Sequence, residues 1–259
     1  MSDVLSHAAD HADPAIRKLT VADLRQSLSQ GFDDFRAIPT QLVFLGLLYP
    51  VIGFVAARAA TGDLLPLLFP LLTGVSLMGP VIAVGLYEVS RRREAGLPIS
   101  WTTVFDVAKS PAIGSIVLMA VALLAIFVVW VFTAKAIYTA TMGTATASSL
   151  GDFARSVTGT DAGHRLVLLG NLVGAGFAVV VLAISVVSLP MLLDRNCSPA
   201  LAVRTSVRAV LKNPVVMAIW GLIVAVLLVA GSLPAFVGLA LVMPILGHAT
   251  WHLYKHTVA

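Results

Sequence analysis

Charge is scarce in this chain: Asp, Glu, Lys and Arg make up 12% of its 259 residues. A water-soluble domain carries about a quarter. With a mean hydropathy of +0.95 and 58% hydrophobic residues, hydrocarbon takes the place of water as the solvent of most side chains. One cysteine, Cys197, excludes an intrachain disulfide and any pair of cysteine metal ligands. Aromatic residues are 7% of the chain and do not alternate with runs of Lys and Arg, which removes the pattern of a nucleic-acid surface. The formal charge of +4 reads instead as basic loops that orient a membrane protein. No His-Glu-x-x-His string, phosphate-binding glycine loop or nucleophile elbow is present, so the expectation is of no enzyme. Residues 1–19 carry Asp3, Asp10 and Asp13 and lack the basic-then-apolar order of a cleaved signal peptide.

Six apolar runs fill about half of the chain and predict transmembrane helices over 38–57, 64–90, 112–138, 166–193, 214–230 and 234–253. The last two are joined by Gly231 and Ser232, which predicts a tight helical hairpin. Arg17, Lys18, Arg25, Arg36, Arg91, Arg92, Arg93, Lys109, Arg195, Arg204, Arg208, Lys212 and Lys255 fall on one side of this arrangement. Arg58, Lys135, Arg155 and Arg165 fall on the other. The imbalance predicts that both termini lie in the cytoplasm. Residues 1–16 read as a disordered arm and 17–259 as one membrane domain. The loop 143–163 is expected outside, with Leu150, Phe153 and Val157 on one face of a short surface helix.

Each odd-numbered span follows an amphipathic segment. Val21, Leu24, Leu28, Phe32 and Phe35 form the first apolar stripe, opened by a capping pair, Thr20 and Asp23. Trp101, Val104, Phe105 and Ala108 form the second, after Ser100 as N-cap. Val203, Val207, Val210 and Leu211 form the third, opposite Arg204, Arg208 and Lys212. Such helices lie flat at lipid headgroups. They end at a basic residue and then a proline: Arg36 and Pro39, Lys109 and Pro111, Lys212 and Pro214. Each even span holds a proline, Pro80, Pro190 or Pro244. The expected fold is therefore all-α: six transmembrane helices built as three repeats of an interfacial helix plus a transmembrane hairpin.

Three strings carry a likeness to a known family: Gly79-Pro-Val-Ile-Ala-Val-Gly-Leu-Tyr-Glu-Val-Ser-Arg-Arg92, Ala-Val-Leu-Lys-Asn-Pro over 209–214, and Pro244-Ile-Leu-Gly-His-Ala-Thr-Trp-His-Leu-Tyr-Lys255. They resemble the bacterial integral-membrane family known as domain of unknown function 2189, from about Leu24 to Lys255. The resemblance implies an inner-membrane protein and brings no activity with it.

Ionisable groups inside a span cost about 2.5–3.5 kcal/mol each and need partners. His248 and His252 lie one turn apart on one helix face. Counting from the even-span prolines places Glu88 and Asp194 in the same layer. These four are the candidate metal or haem ligands, set against the alternative that they pair with one another or with arginines such as Arg91 and Arg195. No cofactor is otherwise expected. The leading function is a non-enzymatic protein that acts through a membrane-protein partner in assembly or regulation of envelope complexes. The rivals are a transporter or channel for a small molecule or lipid, and a metal- or haem-binding accessory of a respiratory complex. The lipid bilayer is the expected partner in each case, and nucleic acid in none.

Overall fold

A computed structural model describes residues 13–38, 71, 77–144, 150–233 and 237–259. Almost all of the expected first span, and most of the second span before residue 77, lie outside the described residues, as does the arm up to residue 12. Regular structure among the described residues is helical, apart from an isolated antiparallel bridge between Ile16 and Val258. The fold is all-α.

Helix α1, Val21–Ala37, starts as the capping pair requires: the Thr20 amide donates to Asp23 Oδ2 at 2.7 Å and the Asp23 amide returns a bond to Thr20 Oγ1 at 3.3 Å. It stops at Ile38, which is extended because the following Pro39 disfavours helical backbone ahead of it. A helical turn, Gly79–Ile82, leads into α2, Val84–Glu94. The second amphipathic segment, Trp101–Lys109, is a 3-10 helix opened by a bond from the Ser100 amide to Thr103 Oγ1 at 3.0 Å. Helix α3, Ile113–Met142, follows, then α4, Leu150–Gly159, and α5, Asp161–Ser185. Helix α6, Ser188–Arg195, leads to α7, Pro199–Lys212, then α8, Pro214–Ser232, and α9, Leu239–Thr257.

Three stretches among the described residues are long and apolar enough to cross a bilayer: Ile113–Met142, Asp161–Arg195 and Pro214–Ser232. Thirty residues of α3 rise about 45 Å, more than a hydrocarbon core requires. The expected fourth span is interrupted between α5 and α6. Pro190 has no amide for the Val186 carbonyl four residues back, so the ladder cannot run through it. At the break the Val187 amide donates to Ser206 Oγ at 3.2 Å. The turn expected at Gly231 and Ser232 is displaced: α8 runs through both residues, and α9 starts at Leu239.

The chain divides into two compact units, 1–45 with 80–120 and 182–259, and 46–79 with 121–181. Within the second, Trp130 packs on Phe177 with ring centroids 5.4 Å apart, and a side chain at Gly174 would meet the Trp130 ring at 3.1 Å. Helix α4 forms where the sequence places it, and its Phe153 meets Tyr138 at 6.3 Å.

Within the first unit, α2, α6 and α9 touch one another, and each carries a further helix. The 3-10 helix packs on α2, α7 on α6 and α1 on α9. The carried helices turn small and polar residues inward. Helix α1 buries Leu24, Ser27, Gly31 and Asp34, the 3-10 helix buries Thr103 and Val104, and α7 buries Ala202, Thr205, Ser206 and Ala209. Large apolar residues stay outside: Phe32 is 46% exposed, Trp101 59% and Leu211 72%. Small faces permit close backbone approach and leave hydroxyls free to bond across helices.

Residues 13–19 run beside the C-terminal tail. The Arg17 amide donates to the Thr257 carbonyl at 2.8 Å and the Ala259 amide to the Ala15 carbonyl at 3.0 Å. Asn213, buried at the α7–α8 junction, accepts from the Leu19 amide at 2.8 Å and donates to the Arg17 carbonyl at 3.1 Å. Asn213→Leu strands both backbone groups and is expected to lower stability by about 2 kcal/mol. Thermal unfolding in detergent reads this directly, and an unchanged melting temperature would show that the tie is idle.

Candidate functional site

Helix α9 presents His248, His252 and His256 at successive turns, and α1 lies antiparallel against them. Ser27 of α1 meets His256, Gly31 meets Ala249, and Asp34 meets His252. The approach at Gly31 is so close that a methyl group there would sit 2.5 Å from the Ala249 backbone nitrogen.

Asp34, 4% exposed, is the centre of the cluster. Its Oδ2 accepts from Ser90 Oγ of α2 at 2.5 Å and from His252 Nε2 at 2.8 Å, and Arg93 of α2 pairs with its Oδ1. Burial works against the carboxylate, but bonds from His252, Ser90 and Arg93 outweigh it and hold Asp34 below its ordinary pKa. An ionised Asp34 takes the single proton of Ser90. The 2.8 Å contact between Ser90 Oγ and His248 Nδ1 therefore requires that nitrogen to donate. Donation runs from His248 to Ser90 to Asp34, with His252 entering from the other side. The Nε2 of His248 is buried and has no partner at hydrogen-bonding geometry.

Glu88 and Asp194 do not join the two histidines. Glu88, 3% exposed, accepts from Arg91 Nε at 2.8 Å and Arg92 Nε at 2.7 Å. Arg92 also reaches Asp106 of the 3-10 helix at 3.2 Å. Asp194 accepts from the Tyr254 hydroxyl at 2.7 Å and lies 3.5 Å from Lys255 Nζ. Trp251 Nε1 donates to Glu94 at 3.2 Å, and Lys255 Nζ lies 5.6 Å from the centroid of the Trp251 ring. Among the described residues no group of three or more His, Cys, Asp or Glu is arranged to hold a metal ion. The four sequence candidates thus divide among three sets of partners, and the residue that draws in both histidines, Asp34, was not among them. The sequence signal for it is the spacing Ser27, Gly31, Asp34, a narrow small-and-polar stripe at helical period beside the apolar one.

His256 Nδ1 meets Ser27 Oγ at 3.0 Å, while Ser27 donates to the Asp23 carbonyl at 2.8 Å. Burial disfavours the His256 cation and holds its pKa below 6.5, against the pull of Asp23 and with the help of His252 and Arg17. A base depressed in the folded state binds its proton more readily once the helices part. Its contribution is therefore complete above about pH 6.5 and declines as pH falls below that. Asp34 has the acid's sign: its contribution is complete above its ordinary 3.8 and is lost only at lower pH. The melting temperature in detergent is expected to fall between about pH 7.5 and 5.5, and to fall less in His256→Gln. Equal falls in both proteins would remove His256 from the account.

The family described as predicted integral membrane protein, DUF2189, matches residues 68–194. A search of curated proteins gave no match, and neither did a search of solved structures. The DUF2189 region takes in the first of the three strings, Gly79 to Arg92, and stops short of those at 209–214 and 244–255. The likeness shown is thus narrower than the expected Leu24 to Lys255. The DUF2189 region supplies Glu88, Ser90, Arg93 and Asp194 to the network, while Asp34, His248 and His252 come from either side of it.

Proposed function

We propose that this integral membrane protein crosses the bacterial inner membrane six times, with both termini cytoplasmic, as three copies of a surface helix followed by a transmembrane hairpin. It performs no chemistry and acts through a membrane-protein partner in the assembly or regulation of envelope complexes.

Chain parity supports the topology. Residues 13–19 pair with the tail at 257–259, so both lie on one side of any bilayer. Glu94, at the end of α2, bonds Trp251, and Asp194, at the end of α6, bonds Tyr254. Between Glu94 and Asp194 the chain leaves that side along α3 and returns along α5 and α6. It leaves again along α8 and returns along α9. The pairing of α2 with the 3-10 helix, α6 with α7, and α9 with α1 supports the repeat, because α1 takes after α9 the place that the other two take after their own helices.

One observation carries the non-enzymatic reading: the buried carboxylates are engaged by neighbours. Asp34 is held by Ser90, His252 and Arg93, and Glu88 by Arg91 and Arg92. Carboxylates held in this way fix helix positions rather than stand ready to take a proton. The partner reading draws on the flanks of the spans, where Phe132 is 69% and Leu222 64% exposed. Photo-crosslinking residues at 132 and 222 in living cells are expected to give a discrete protein adduct. Adducts with lipid alone at both positions would remove the partner.

A further inference from the structure

Three helices of the first unit hide small residues and expose large apolar ones, an arrangement that is costly in water and favourable at the boundary between headgroups and acyl chains. Phe32 of α1, Trp101 and Phe105 of the 3-10 helix and Leu211 of α7 all stand outside. Charge decides what covers them. Helix α7 carries Arg204, Arg208 and Lys212 and no acidic residue. Arg204 and Arg208, one turn apart, both grip the carboxylate of Asp13, with Arg208 Nη1 at 2.8 Å. Two guanidiniums already converged on an anion, beside an exposed apolar edge, match the phosphate and acyl chain of an anionic lipid.

We propose that these outward faces bind an anionic phospholipid surface, and that Arg204 and Arg208 hold a headgroup phosphate in the place Asp13 occupies. Asp13 is then an internal competitor: its carboxylate satisfies the arginines until a lipid phosphate displaces it. The proposal rests on the membrane reading above and adds to it a lipid class and a site.

Brominated lipids test it, because bromine quenches tryptophan only on contact. Trp130, Trp220 and Trp251 are buried, which leaves Trp101 as the exposed reporter. The full chain carrying Trp101→Phe and Leu211→Trp places a reporter on α7 instead. Each protein is reconstituted in phosphatidylcholine vesicles that contain either phosphatidylglycerol or phosphatidylcholine brominated near the headgroup. A basic residue at an anionic surface is worth about fivefold in binding, so two give a preference on the order of tenfold or more for phosphatidylglycerol at the α7 reporter. Arg204→Gln with Arg208→Gln is expected to bring that preference down to about one to twofold, and Asp13→Asn to raise it. Equal quenching by the two lipids would overturn the proposal. So would the absence of quenching by either, which means that protein covers the face. Loss of the preference on adding inorganic phosphate would also overturn it, because the arginines then serve a free anion. Flotation of the vesicles is read first. A chain that fails to float and is washed off by alkaline carbonate refutes the membrane reading itself, whereas one that stays embedded but shows no preference refutes only the lipid site.

Discussion

Asp34→Asn is expected to unseat α1 from α9 and to lower stability by about 1.5–3 kcal/mol, the range for hydrogen bonds to a charged group, here one that is itself buried. The side chain keeps its size, so the loss is electrostatic. Ser90, His252 and Arg93 all donate toward Asp34. An amide offers one acceptor oxygen and turns an NH2 group toward the remaining donors, leaving the buried Ser90 hydroxyl and the Arg93 guanidinium without their anion. Two readouts separate this from general weakening. The melting temperature in detergent falls, and trypsin gains access to Arg25 and Arg36 on the freed α1 before it cuts elsewhere. A double-mutant cycle with Arg93→Gln is expected to be strongly non-additive, since both changes break the same contact. If Asp34→Asn melts within about 0.5 kcal/mol of the parent, the cluster does not hold the helices together.

Gly31→Ala acts at the same interface by a different route. The new methyl would stand 2.5 Å from the Ala249 nitrogen and 2.7 Å from its Cα and Cβ. No rotamer relieves contacts with backbone atoms, so one helix must move. The expected loss is about 1–3 kcal/mol, and Gly31→Val should exceed it. Adding Ala249→Gly removes one of the three clashing atoms and is expected to restore part of the loss, whereas a Gly-to-Ala change that acted only through helix propensity would stabilise α1. Melting curves of the two single variants and the double variant decide between these. Stabilisation by Gly31→Ala would mean that the helices do not approach as described.

What could be read ahead of the structure followed the rules that lipid and water share. The Thr20 and Asp23 cap, the short helix around Phe153 and three of the long apolar helices all stand where the residues place them. The hidden parts are those where the two solvents disagree. Beside Asp33 in α1, Asp34 reads as a solvated face, because in water the large apolar stripe of Val21 and Phe32 would turn inward. Here Phe32 faces out, and the buried stripe is chosen for small size and hydrogen bonding. Glu88 and Asp194 were rightly expected to need partners, but helical spacing gives depth rather than neighbours. Glu88 found its cations one turn along its own helix, in Arg91 and Arg92, and Asp194 found Tyr254 and Lys255 on α9 rather than the histidines of that helix. The pairing of residues 13–19 with 257–259 was hidden for a simpler reason: a contact between chain ends leaves no periodicity to detect.

The central claim is that hydrocarbon surrounds these helices and that the chain crosses it an even number of times. Reporter fusions at residue 1 and residue 259 test this most directly, with green fluorescent protein marking the cytoplasm and alkaline phosphatase the periplasm. The account predicts fluorescence from both ends and phosphatase activity from neither. Ends on opposite sides of the membrane would contradict it, because residues 13–19 then could not lie beside the tail.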